Sequence, residues 1–187
     1  MGNSGRIVRC SLTNRAYVST MQQPNTGIDP RMSALMRLFE VTVPSDWIDY
    51  NGHMTEYRYT QCFADATDAL LQMIGADADY VQRGHSYYTV ESHVRLLDEA
   101  KLGDALYVDA QLLPSDGKKI HTFMSLFRAS DDMLLSTYEN LMLHISSQEG
   151  RSVPPLPAIM TKLAPLAEVH ASLPRPEAAG RWVGMRR

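Results

Sequence analysis

Along the middle of the chain, apolar and polar residues recur with two different periods, and the switch between them outlines a fold. Phe39, Val41 and Val43 alternate with Leu38, Glu40 and Thr42, the period of two that predicts a half-buried strand. Between positions 44 and 52 neither period holds, so a loop is expected. The spacing then becomes three and four. Tyr59, Phe63, Ala66, Leu70, Met73 and Ile74 line one side, while Gln61, Asp65, Asp68 and Gln72 fall on the other. This predicts an amphipathic helix over 57–74, stopped by Gly75. A short helix near 78–83 and then strands over 87–97, 105–113, 119–128 and 133–145 follow. Pro114-Ser115-Asp116-Gly117 and Ser130-Asp131-Asp132 supply the turns between the later strands.

The order is thus strand, long helix, antiparallel meander. Leu106, Val108, Ala110 and Leu112 face inward on this pattern, and Glu91, His93 and Arg95 share one strand face while Val90, Val94 and Leu96 share the other. A sheet with one apolar face must cover it, and only the 57–74 helix has matching length. An α+β architecture is expected, an antiparallel sheet wrapped around one buried helix.

The ends read differently. Residues 1–31 carry Arg6, Arg9 and Arg15 with no acid before Asp29, but lack the apolar core of a secretory leader. Position 6 also fails the myristoylation pattern. The expectation is an upstream extension, disordered or not translated, with Met32 as the functional start and a domain over 32–150. From 151 onward prolines recur, which limits the tail to short helical pieces, for example around 158–169, and leaves it wrapped on the domain or mobile.

Composition narrows the function classes. With 44% hydrophobic and 21% charged residues the chain is ordinary globular material, enough for one core. A net charge of −3 gives no electrostatic footprint for nucleic acid, and no apolar run approaches the roughly 20 residues of a membrane span. Two cysteines, Cys10 and Cys62, do not make a disulfide framework, so a cytoplasmic, reducing setting fits. The six histidines lack metal-site spacing, and no metal or cofactor is expected.

Candidate chemistry gathers just ahead of the long helix, in Asp49-Tyr50-Asn51-Gly52-His53-Met54. A carboxylate there lies where free backbone N–H groups and the positive end of the helix dipole collect, and Gly52 lets the backbone turn sharply. Asp and Asn in such a place also serve simply as helix caps. The strand, the motif at the mouth of a long helix and the meander together resemble the hot-dog-fold acyl-CoA thioesterases. The segment from Asp46 to Met54 and Ala66-Thr67-Asp68-Ala69-Leu70 are similar to the betainyl-CoA thioesterases of carnitine catabolism. Where many relatives carry two asparagines after the His-x pair, this chain has Thr55-Glu56.

The resemblance implies thioester hydrolysis at a dimer interface, in a homodimer or dimer of dimers, with water as second substrate. It implies Asp49 as general base or nucleophile, Asn51 as an orienting group and His53 as proton shuttle or carbonyl donor. Glu91 is a further catalytic candidate, against a solvated-face alternative. Trp47, Tyr50, Gly52, Met54 and Tyr59 are candidate substrate-binding residues. Trp47 and Tyr50 bracket Asp49 and could cage a quaternary ammonium, which cannot donate a hydrogen bond and is held by cation–π attraction. Arg58, Arg83, Arg95, Lys118 and Lys119 are candidates for CoA phosphates, set against ordinary surface charge. The alternatives are a short-chain acyl-CoA or acyl-carrier-protein thioesterase and a non-catalytic acyl-CoA-binding module.

Overall fold

The computed structural model describes residues 35–184. The expectations for 1–31, the Met32 start and Cys10 lie outside them. Strand β1 (Met36–Thr42) leads through a short 3-10 turn (Ser45–Trp47) and a tight loop into α1 (Glu56–Ile74). Then come α2 (Ala78–Gln82), β2 (His85–Leu96), β3 (Ala105–Leu112), β4 (Lys119–Arg128), β5 (Met133–Ser146), β6 (Arg151–Ser152) and α3 (Pro157–Ala171). The main strands form an antiparallel sheet in the order β1-β3-β4-β5-β2, with β6 added to β5.

The sheet curls around α1 because both present apolar faces of the right period. Tyr59, Cys62, Phe63, Ala66, Leu70 and Ile74 of the helix are buried, as are Leu106, Val108, Ala110 and Leu112 of β3. Phe63 stacks on Tyr138 of β5 with ring centroids 5.1 Å apart. The helix stops at Gly75, whose φ of +86° suits a residue without Cβ; its N–H bonds to the Gln72 carbonyl, and Ala76 N–H to that of Leu71. Met73, expected inward, is exposed instead: Leu70 and Ile74 already fill the helix's inner line.

The core has two halves. One gathers Phe63, Val108, Met124, Leu126 and Tyr138 around the first turns of α1; the other gathers Leu70, Ile74, Ile120, Met142, Ile159 and Leu163 around its end. Between them lie Thr122 and Asn140, paired across β4 and β5, fully buried, their side chains without a protein partner among the described residues.

The segment after 151 is packed on the domain. Tyr80 and His144 join it to the sheet: the Tyr80 hydroxyl lies 2.8 Å from His144 Nε2 and accepts the Leu156 N–H, while His144 Nδ1 meets the Val153 carbonyl at 2.8 Å. This array defines the tautomer, Nδ1–H donating to Val153 and Nε2 accepting from the phenol. Burial pushes the His144 pKa down, helped by nearby His85, with the Val153 carbonyl opposing. The helix α3 tolerates Pro157 in its first turn, and carries Pro165 internally.

Candidate active site

The loop before α1 is a small hairpin. Ile48 bridges Met54, Asp49 N–H donates to the His53 carbonyl (3.0 Å), and Gly52 N–H donates to the Asp49 carbonyl (3.1 Å). Gly52 sits at φ +87°, the left-handed position such a closed loop requires. The Asp49 carboxylate accepts the Asn51 N–H at 2.8 Å, which fixes its orientation. The loop is tied to the segment that follows β2 by Met54 N–H donating to the Ala100 carbonyl at 2.8 Å.

The helix cap is not made by this motif. Thr55 is the N-cap of α1, and its hydroxyl turns back to the Trp47 carbonyl (3.1 Å) instead of capping the first turn. Among the described residues the mouth of this 19-residue helix therefore has no N-cap side-chain acceptor, an arrangement suited to developing negative charge. Asp49, only 25% exposed at its side chain, stands seven residues ahead of the helix on the hairpin.

His53 stands between two carboxylates. Its Nδ1 is 3.9 Å from Asp49 Oδ1 and its Nε2 is 3.4 Å from Glu99 Oε1. Glu99 follows the end of β2 and has no periodic signature in the sequence. Its only local mark is the acidic pair Asp98-Glu99, and the approach to His53 is a tertiary fact. Tyr59 holds this second loop: its hydroxyl accepts the Ala100 N–H at 3.0 Å and donates to the Asp98 carbonyl at 3.3 Å. Burial pushes the Tyr59 phenol up, so it remains protonated and can do both.

The other candidates fall in different places. Asn51 is exposed, and its backbone rather than its side chain engages Asp49. Met54 and Tyr59, taken as substrate-binding, are buried in the core beneath the hairpin. Trp47 is buried with the Arg58 guanidinium 5.1 Å from its ring centroid, while Tyr50 is 97% exposed. One ring already faces a cation and the other points to solvent, so within one chain they do not form a cage. Glu91 is exposed midway along β2, opposite Leu141. Five residues of strand, about 17 Å, separate it from Leu96 at the end nearer the hairpin. A bulge between Thr89 and Glu91 breaks the simple alternation, and Val90 is exposed. Buried Cys62, its thiol pushed up to about 12 chiefly by desolvation, is no nucleophile. Among the described residues no cluster of three or more His, Cys, Asp or Glu could hold a metal.

A sheet curled on one helix, with a carboxylate–imidazole–carboxylate array at the helix mouth, has clear relatives. The sequence model of the Thioesterase-like superfamily matches residues 43–163, and the chain belongs to this family. Its architecture is the hot-dog fold. The L-carnitine dehydrogenase/betainyl-CoA thioesterase of Rhizobium meliloti (strain 1021) is 51% identical over 88% of this chain, which spans 33% of that protein's length. The betainyl-CoA thioesterase of Pseudomonas aeruginosa is 37% identical over 82% of this chain and 98% of its own. A hypothetical protein from Staphylococcus aureus, solved in complex with CoA, superposes with TM-score 0.76 at 26% identity, covering 81% of this chain and 97% of that one.

Proposed function

We propose that this protein hydrolyses an acyl-CoA thioester to the free acid and CoA, with betainyl-CoA the preferred substrate. The observation that carries the reading is the His53 ring set between the Asp49 and Glu99 carboxylates at the uncapped mouth of α1. Asp49 takes a proton from water as the water oxygen attacks the thioester carbonyl. The developing oxyanion is met by the first-turn N–H groups of α1. Collapse breaks the C–S bond, and the departing thiolate takes a proton through His53, whose orientation Glu99 holds. Water is the only other reactant, and the scheme uses no resident cofactor.

The acyl preference is supported by the relatives' names, and by exposed aromatic faces at Tyr50 and Tyr88 rather than by a Trp47–Tyr50 pair, the Tyr57 ring being faced by Arg58 at 4.8 Å. The same reading makes the working unit a homodimer, or a dimer of dimers, and the setting cytoplasmic. Strand β2 is twelve residues long, lies at the sheet edge and exposes Tyr88 and Val90, a surface that a second copy would cover. Antiparallel pairing of two such strands would set the second half of one, and its hairpin, beside the first half of the other.

Thiol release from betainyl-CoA and butyryl-CoA tests the reading. Betainyl-CoA should be turned over with the higher kcat/KM, and Asp49→Asn should lower kcat by about 10²–10⁴-fold while the protein stays folded. Unchanged turnover by the folded variant would exclude Asp49 as the base. A preference for the neutral acyl chain would exclude betainyl-CoA as the favoured substrate.

A further inference from the structure

The outward face of the sheet is crossed by a strap that follows α3. Gln111 of β3 donates through Nε2 to the Pro174 carbonyl at 3.2 Å, and Gly180 N–H donates to Glu139 Oε2 on β5 at 2.6 Å. The strap thus runs from β3 across to β2, where its described residues reach His93 and Arg95. There it borders an open groove of about 560 Å³ lined by His93, Arg95, Arg181, Trp182 and Val183. That volume is within the usual range for a small-molecule site.

The lining has a specific chemistry. Arg95 is half-buried and makes no ion pair among the described residues, as does His93. Among the described residues Arg181 pairs with Glu177 alone, at 3.3 Å, and that carboxylate is 95% exposed, so a stronger anion would displace it. The nearby Glu139 is already engaged by His121 and by the Gly180 N–H. Trp182 is 85% exposed, a large aromatic face left beside two guanidinium groups. Cations next to a free indole face fit a phosphorylated adenine nucleotide, with phosphates on the guanidinium forks and the base on the ring.

We infer that this groove holds the 3′-phosphorylated ADP end of the CoA thioester, an inference that rests on the thioesterase reading. Reach allows it. Arg95 stands five residues before Ala100, which anchors the hairpin through Met54, and five residues span at most about 18 Å. The pantetheine arm has about thirteen bonds from sulfur to the first phosphorus, a little over four residues of extended chain, or roughly 15 Å. The substrate would pass around the end of β2, with its thioester at the helix mouth and its nucleotide under the strap.

Two measurements test this. Of the two tryptophans, Trp47 is buried and Trp182 exposed, so adenosine 3′,5′-bisphosphate stacked in the groove should quench the exposed one saturably. Trp182→Phe should abolish the quench, and Arg95→Gln should weaken the affinity at least tenfold. In kinetics, Arg95→Gln should raise KM for the acyl-CoA about tenfold with little change in kcat, and leave KM unchanged for the same acyl group on pantetheine. Absence of a saturable quench, or an equal rise in KM on both substrates, would overturn the site. Were the wild-type protein to release thiol from neither substrate, the thioesterase reading itself would fall, and the quench would still decide whether the groove takes a nucleotide.

Discussion

Replacing Tyr59 by Phe removes one oxygen atom and should be felt both in stability and at the active site. That oxygen accepts the N–H of Ala100, a residue with no exposed surface, and donates to the Asp98 carbonyl. Phe fills the same space, so no cavity opens and the ring's packing is kept. What remains is an orphaned N–H in a dry place, costing about 1–3 kcal/mol, plus a longer bond whose carbonyl water can replace. Taken as about 2 kcal/mol in a chain of this size, the loss lowers Tm by roughly 4–8 °C. The same loop carries Glu99 to within 3.4 Å of His53 and supplies the carbonyl that anchors Met54. Loosening it should therefore lower kcat by about tenfold, since small misplacements of catalytic groups are costly. Thermal melts at neutral pH and thiol-release kinetics measure both effects, with the exposed Tyr50→Phe as the stability control. A Tyr59→Phe protein that melts within a degree of wild type and keeps its kcat would refute the role given to this hydroxyl.

Gly52→Ala meets no atom within 4 Å, so its cost is backbone strain alone at φ +87°, about 1–2 kcal/mol; Gly52→Asn, which tolerates that region, should melt closer to wild type. Equal melting temperatures for the Ala and Asn variants would contradict this. Phe63→Ala removes a fully buried ring stacked on Tyr138 and should cost about 3–5 kcal/mol in a denaturant titration, and a loss under 1 kcal/mol would show that the stack contributes little. For His144, burial lowers the folded pKa below the ordinary 6.5, so as pH falls the unfolded chain takes the proton first. The stability this group contributes is complete above about 6.5 and is lost from there down through the folded value. His144→Gln should flatten the fall in Tm between pH 7.5 and 5.5, and an undiminished slope would place the acid sensitivity elsewhere.

How much of this was legible beforehand depends on whether the determining interaction is local. The period of the apolar residues places α1, β3, β4 and β5 nearly to the residue, because burial on one face of a helix or strand is written as spacing. The bulge in β2 escapes that reading, since it is a property of pairing with β5 and leaves no mark in the alternation around Val90. Burial on both faces of β3 escapes it too. Tyr107, Asp109 and Gln111 look solvent-facing by period, and are buried or bonded because Arg37 and the strap lie over them.

The hairpin from Asp49 to His53 divides the same way. The sequence by itself determined that a carboxylate, a flexible turn and an imidazole sit together ahead of a long helix, because covalent neighbours cannot be far apart. Only the tertiary structure decided that the helix cap is Thr55 and not Asp49, that Trp47 faces Arg58, and that Glu99 completes the array from the far end of β2. The strap over His93 and Arg95 belongs with these. The Glu99 and strap contacts join residues tens of positions apart, and they exist only once the sheet has closed around α1.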